Sequence, residues 1–558
     1  MSATKAATFD RDDPPILGAN PFVGLTRGQV AAALARVGQR VAVEPGVAAA
    51  TAIDAAGEML RVALGRSDLA PEKGDRRFAA DAWRDHPLFR RLVQAYLVQA
   101  NAAHRVIDEV DLDAKSRVRG HFAMSLLTEG MAPTNNFLTN PDALAKAVQT
   151  RGQSLVAGAR NVGHDLRHNG GMPSQVDTRP FAVGKNLGVT RGQVVHRTDV
   201  FELIQYEETT TRVHRRPLVV VPPQINKYYI TDLAPGRSLV ESTVAAGIPY
   251  FTISWRNPTP EQRDWNLDTY ATAVLEAIDV ARDIAGTDDV NAAGICAGGV
   301  TLAAVLGHLA ATGASELVHS ATLLVAGLDT RTETTVTALA STRTVEAARA
   351  RSMRAGVLSG DDMAKVFAWL RPNDLVWNYW VNNYLLGQNP PAFDILYWNS
   401  DTTRLPAGLH SDFLDLYLTN GLVEGTLDVL GSPVDLGKVM CDAFVVAGYT
   451  DHIIPWDGAY RTTQLLGGDS QFVLSTGGHI QAILNPPGNP KASYLIAGEL
   501  PPTASEWRDA ATPVAGSWWT LWHQWLGTRS GPTRARRRRA GNAGHRPLDP
   551  APGRYVHL

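Results

Sequence analysis

Two textures divide the chain. From about residue 26 to 165 apolar residues recur at three- and four-residue spacing, as in FRRLVQAYLVQANAAHRVIDEV, the rhythm that gathers them on one helical face. Leu92, Tyr96, Ala100 and Val106 fit one such face loosely. Past Gly170, short β-rich runs take over. VVHRTDVFELIQY is followed by PLVVVPP, a continuous apolar run bounded by prolines that suits a strand buried on both sides of a parallel sheet. GIPYFTISW reads as a strand, and Leu267, Tyr270, Ala271, Val274, Ile278 and Ala281 read as a helix. The strand VNAAGI, the small-residue helix GVTLAAVLGHLAATG and the strand ATLLVAGLD come next. Strand and helix alternating at this interval predict a doubly wound α/β sheet. Residues 331–430 interrupt the alternation with a polar and aromatic insertion, a lid, before CDAFVVAGYTD and SQFVLSTGGH resume it and GSWWTLWHQWLGTRS supplies a last helix.

The pattern predicts a mostly helical domain over 26–185 and a sheet domain over 186–530. A polar, Pro-containing segment at 1–25 is expected to be mobile. The basic run TRARRRRAGNAGHRP opens a tail over 531–558, read as solvated, with attachment to a membrane or granule surface as the other reading. The length agrees, because 558 residues exceed the roughly 250–300 at which one core stops growing. A net charge of −2 gives no long-range pull on nucleic acid. Two cysteines exclude a disulfide scaffold and a Cys-rich zinc site. The first residues hold no apolar signal-peptide core, and no run reaches the roughly 20 apolar residues that span a bilayer, so a cytoplasmic protein is expected. Ten of the 13 tryptophans lie at or after Trp369, as ordinary core or as aromatic surfaces.

The chemistry centres on Gly294-Ile295-Cys296-Ala297-Gly298-Gly299, set between a predicted strand and a predicted helix. A nucleophile framed by glycines at such a corner is held in a strained conformation that pushes its side chain outward, the signature of the α/β-hydrolase fold. The following helix aims its N-terminal N–H groups at the thiol, which favours the thiolate. Cys441 has no glycine frame and reads as a buried structural thiol. In this fold the acid and then the base follow the nucleophile along the chain. Asp451 ends an apolar run 155 residues after Cys296, and His479 lies in a Gly-rich turn 28 residues further on. The thiol needs a base, and the base needs a carboxylate to fix its tautomer. His452, beside Asp451, is either an outer partner of the site or a polar loop residue. The oxyanion hole takes the N–H of Ala297 and a second donor from the loop after PLVVVPP. Pro222 and Pro223 have no N–H. Of Gln224, Ile225 and Asn226, Ile225 is chosen.

These residues carry a family likeness. Over about residues 75–530 the chain resembles the polyhydroxyalkanoate synthases, in NNFLTNP, FAVGKNLGVTRGQVV, PPQINKYYITDL, SWRNP, GICAGG, LRPNDLVWNYWVNNYLLG, DILYWNSDTTRLP, TDHIIPW and GHIQAILNPPGNPK. CAGG and the last of these look closer to the medium-chain (class II) type than to the short-chain type. The resemblance implies an enzyme that polymerises (R)-3-hydroxyacyl-CoA into polyester and releases CoA, as a homodimer on an intracellular granule and without a cofactor. It implies that Cys296 carries the acyl chain as a thioester and that His479 activates Cys296. Asp451 would orient His479 or help to deprotonate the attacking 3-hydroxyl. Trp369, Trp377, Trp380, Tyr397 and Trp398 would shield the site, line a chain path or form a dimer contact. Two alternatives remain at this stage: a cysteine hydrolase of the thioesterase or dienelactone-hydrolase kind, and a non-catalytic granule-associated relative.

Overall fold

The computed structural model describes residues 27–331 and 342–558. The mobile start expected over 1–25 and residues 332–341 of the expected lid lie outside them. The chain forms two compact units. Of the described residues, the first comprises 27–178, 342–344 and 362–393, and the second comprises 179–331, Val345–Asp361 and Asp394–Leu558. The lid expected over 331–430 is therefore divided between the two.

The described N-terminal part of the first unit is helical: Arg27–Val43, Pro45–Ala63, Pro87–Glu109, Ala114–Gly130, Pro141–Gln149 and Gln153–His168 are its longer helices. Local chemistry sets their starts. Proline occupies the first helical position of Pro45–Ala63, Pro87–Glu109 and Pro141–Gln149, where its missing N–H costs nothing. Asp113 and Asn140 accept the N–H groups of Ser116 and of Asp142 and Ala143. The face that Pro87–Glu109 buries is Val93, Val98 and Ile107. Leu92, Tyr96, Ala100 and Val106, the face drawn from the sequence, only flank it half-buried. Within this unit Trp369, Trp377, Trp380 and Tyr384 stack edge to face in series. The Tyr384 hydroxyl donates to the buried Asp165 carboxylate at 2.8 Å.

The second unit is built on an 11-stranded sheet. Its strands are β1 (Gly192–Arg197), β2 (Phe201–Tyr206), β3 (Leu218–Val221), β4 (Tyr250–Trp255), β5 (Val290–Ile295), β6 (Val318–Leu324), β7 (Asp442–Gly448), β8 (Ser470–Ser475), β9 (Ser493–Ile496), β10 (Thr512–Ala515) and β11 (Asp549–Pro550). They lie in the order β10-β9-β8-β7-β6-β5-β3-β4-β2-β1-β11. The strands from β8 to β4 in that order are parallel. Every residue of β3, β4 and β5 is buried, and β3, covered on both faces, is apolar throughout. The β-rich run at 194–206 is a hairpin of two antiparallel strands, β1 and β2. A capping box of Asn266 and Thr269 starts the helix Leu267–Ala285, and Gly286 ends it in the left-handed conformation. This is the α/β-hydrolase fold.

The segment after Gly531, expected as a solvated tail, is folded. Thr533–Ala535 pairs with Arg212–His214, and β11 extends the sheet at the edge of β1. A count of like charges could not see the acidic partners, which lie more than 300 positions away. Arg534 pairs with the buried Glu208 at 2.6 Å, and the Arg537 N–H donates to the same carboxylate. The fully buried Glu202 accepts the N–H groups of Arg554 and Tyr555, each at 2.9 Å, as well as Arg197.

Candidate active site

The parallel strands deliver the sequence-selected residues to one edge of the sheet, beyond their carboxyl ends, where this architecture places its sites. Cys296 follows β5 directly, with φ 50° and ψ −120°, and the helix Ala297–Thr312 starts at the next residue. A side chain at positive φ is strained, so tight packing must hold this corner. A Cβ on Gly298 would lie 2.2 Å from the Val221 carbonyl oxygen and 2.6 Å from that of Pro222. One on Gly294 would lie 2.6 Å from the Cα of Gly299, and one on Gly299 would lie 2.5 Å from the Cβ of Ala326. The glycine frame is thus the condition for pressing the elbow onto the end of β3.

Asp451 and His479 follow the neighbouring strands β7 and β8. The loops that carry Asp451 and His479 approach so closely that a Cβ on Gly448 would meet the Gly477 carbonyl oxygen at 2.8 Å. His479 Nδ1 and Asp451 Oδ2 are 2.6 Å apart. The other carboxylate oxygen accepts the N–H groups of Ile453 and Ile454, at 2.8 and 3.0 Å. With Nδ1 donating to the carboxylate, Nε2 is left for sulfur, and the Cys296 thiol lies within hydrogen-bonding reach of the ring. Burial pulls the imidazole pKa down. The charges of Asp451 and Cys296, with hydrogen bonds to both, outweigh burial and raise it to about 10. A proton passed from sulfur to this ring is therefore held there. Cys441 lies apart from this geometry, just before β7, and burial pushes its thiol up to about 11. His452 is partly buried in the turn that follows Asp451.

Three tryptophans of the last long helix are core, and two of them hold the segment that begins at His479. Trp518, Trp519 and Trp522 are buried on the helix Trp518–Arg529. The indoles of Trp518 and Trp519 donate to the carbonyls of Ala482 and Ile483 on the short helix His479–Ile483, at 2.7 and 3.0 Å. Of the aromatic segment, Trp398 belongs to the main apolar cluster of the second unit, and Tyr397 packs against that cluster, as do Cys296, Phe181, Ile395, Ile480 and Leu484.

Ala297, as the first residue of its helix, has an N–H with no intrahelical partner. Ile225 is buried in the loop after β3. Sequence reasoning missed what fixes that loop. Trp255 Nε1 donates to the Pro222 carbonyl at 2.8 Å, Thr403 Oγ1 to that of Gln224 at 3.0 Å, and Trp398 Nε1 to that of Lys227 at 2.7 Å. Gln224 Nε2 donates to Thr301 Oγ1 at 2.9 Å, which in turn donates to the Ala297 carbonyl. Asn226 bridges to Thr402. The only available signal was the appearance of both strings, PPQINKYYITDL and DILYWNSDTTRLP, among the motifs. Among the described residues, no group of three or more His, Cys, Asp or Glu could hold a metal ion.

Two family models match: the N-terminal part of the poly-beta-hydroxybutyrate polymerases (PhaC) over residues 74–243, and the alpha/beta hydrolase fold over 217–486. Poly(3-hydroxyalkanoate) polymerase 1 of Ectopseudomonas oleovorans is 48% identical over 97% of this chain and 97% of its own length. Polymerase 2 of the same organism is 50% identical over 90% of this chain and 89% of its own. The poly(3-hydroxyalkanoate) polymerase subunit PhaC of Cupriavidus necator is 41% identical over 89% and 85%. A solved esterase from Exiguobacterium antarcticum aligns with 52% of this chain and 92% of its own at 14% identity, with a TM-score of 0.32.

Proposed function

The chain belongs to the poly(3-hydroxyalkanoate) polymerase family, and from that premise we propose that it polymerises (R)-3-hydroxyacyl-CoA into polyester with release of CoA, through a thioester on Cys296. The observation that carries the reading is a thiol, where an esterase would have a hydroxyl, at a strained elbow within reach of a carboxylate-backed imidazole.

His479 takes the proton from Cys296 Sγ, and the thiolate attacks the thioester carbonyl of the substrate. The N–H groups of Ala297 and Ile225 receive the developing oxyanion. The carbon–sulfur bond to CoA breaks, and the departing thiolate takes the proton from His479. One thioester has replaced another, so the step is near isoenergetic. His479 then accepts the proton of a 3-hydroxyl group as its oxygen attacks the enzyme thioester. The oxoester forms downhill, and the Cys296 thiolate recovers the proton. Asp451 holds the ring tautomer throughout. Water competes with the hydroxyl, and the apolar cluster against which Cys296 packs disfavours it. The reaction draws on no cofactor. The family likeness extends the proposal to a homodimer at the surface of a growing cytoplasmic granule; no helix among the described residues is long and apolar enough to cross a membrane.

A cysteine hydrolase would use the same three residues. The test is incubation with 3-hydroxybutyryl-CoA and 3-hydroxyoctanoyl-CoA. Insoluble polyester with stoichiometric CoA supports the proposal; free hydroxy acid without polymer assigns a hydrolase. Cys296→Ala should abolish CoA release, and surviving turnover would overturn the mechanism.

A further inference from the structure

Lys227 is an unusual place for a lysine. It is 4% exposed, on the loop that carries Ile225, and burial lowers its pKa. A buried ammonium needs acceptors. Its Nζ donates to the carbonyl oxygen of Val556 at 3.0 Å and to a main-chain oxygen of Leu558 at 2.6 Å. Asn257 Nδ2 donates to the Leu558 oxygen as well, at 3.1 Å. Asp401 supplies the nearby opposite charge, and its carboxylate accepts the Tyr229 hydroxyl at 2.8 Å. The segment that Lys227 grips is itself anchored. Glu202 takes the N–H groups of Arg554 and Tyr555, β11 pairs with β1, and the Tyr555 hydroxyl donates to the Thr198 carbonyl at 2.5 Å.

The loop after β3 thus has a third support besides the indole and hydroxyl donors described above. We propose that residues 549–558 position the oxyanion-binding loop through Lys227, making Lys227 a positioning residue for acyl transfer. The inference rests on the proposed acyl transfer at Cys296. Two hydrogen bonds from one buried ammonium fix the loop two residues beyond Ile225. Without them the Ile225 N–H keeps its place in sequence but loses its aim. Loss of a single oxyanion donor costs about 10²–10³ in turnover, so a misaimed one should cost about 10- to 100-fold.

The test separates the oxyanion loop from the nucleophile. Alkylation of Cys296 by iodoacetamide needs the thiolate but forms no oxyanion. Acyl transfer needs both. In the full chain, Lys227→Met keeps the aliphatic stem and removes the ammonium. CoA release from 3-hydroxyoctanoyl-CoA should fall about 10- to 100-fold in kcat with KM changed by less than about threefold, while the iodoacetamide rate stays within about twofold of wild type. A chain ending at Gly553 should show the same split. Combining both changes should lose no more than the worse single change, because they break one contact. Unchanged turnover in Lys227→Met would overturn the proposal. So would equal losses in turnover and alkylation, or multiplying losses in the double variant. If the shortened chain does not fold, Lys227→Met alone decides. If wild type releases CoA without forming polymer, the polymerase reading fails while this comparison is still read from CoA.

Discussion

Replacing Asp451 by Asn tests the site where its geometry is tightest. The carboxylate lies 2.6 Å from His479 Nδ1, and its other oxygen is held by two backbone N–H groups. The amide oxygen can keep those two donors, which turns the NH2 toward Nδ1. The ring must then accept at Nδ1 and carry its hydrogen on Nε2, facing sulfur with a proton it cannot exchange for the thiol's. The electrostatic loss follows from the imidazole pKa, which stands at about 10 against an ordinary 6.5. That difference is about 3.5 pH units, on the order of 5 kcal/mol. Of the effects that raise it, the Asp451 charge is the largest, so the variant loses the main support of the imidazolium. The inverted tautomer adds to this, and the corresponding change in a serine protease triad costs about 10⁴. The expected fall in kcat/KM is therefore about 10²–10⁴, read by CoA release. Iodoacetamide alkylation of Cys296 at pH 7 should slow by at least about tenfold. Retention of more than a tenth of wild-type turnover would refute the reasoning. Stability offers an independent check. Because the folded imidazole pKa is raised, the pair's stabilisation is complete below about pH 6.5 and is lost as pH rises through about 10. The Tm difference between wild type and variant should shrink over that window.

The remaining predictions concern the frame. Gly298→Ala should destabilise the chain by about 3 kcal/mol or more, because the new methyl meets two backbone carbonyls that cannot swing away; thermal unfolding and soluble yield measure it. Cys441→Ala should leave turnover within about twofold of wild type, and mass spectrometry of protein alkylated at pH 7.5 should find the label on Cys296, since the Cys441 thiol stays protonated until about 11. Glu208→Ala should expose the arginines at 534–539 to trypsin, raising the cleavage rate there at least about tenfold while wild type resists. Trp522→Ala should cost about 3–5 kcal/mol in denaturant unfolding, as a fully buried indole that also donates to Thr322 Oγ1 at 3.0 Å.

The sequence by itself determined what is local. A continuous apolar run announced β3 because a strand buried on both faces tolerates little else, the alternation of strand and helix announced its neighbours, and the glycines around Cys296 announced the elbow because only glycine fits where backbones nearly touch. Chain order then selected Asp451 and His479, each just past a strand. Tertiary structure decided whatever depends on partners distant in the chain. It made the arginine-rich segment a folded edge because Glu202 and Glu208, invisible to a count of neighbouring charges, stand opposite it. It divided the aromatic segment, stacking Trp377 and Trp380 in the helical unit while Trp398 turns its indole to the Lys227 carbonyl. It also showed Lys227 to be a buried fastener. A lysine's letter says only that it carries charge; which carbonyls surround it, and so what it holds in place, is settled by packing alone.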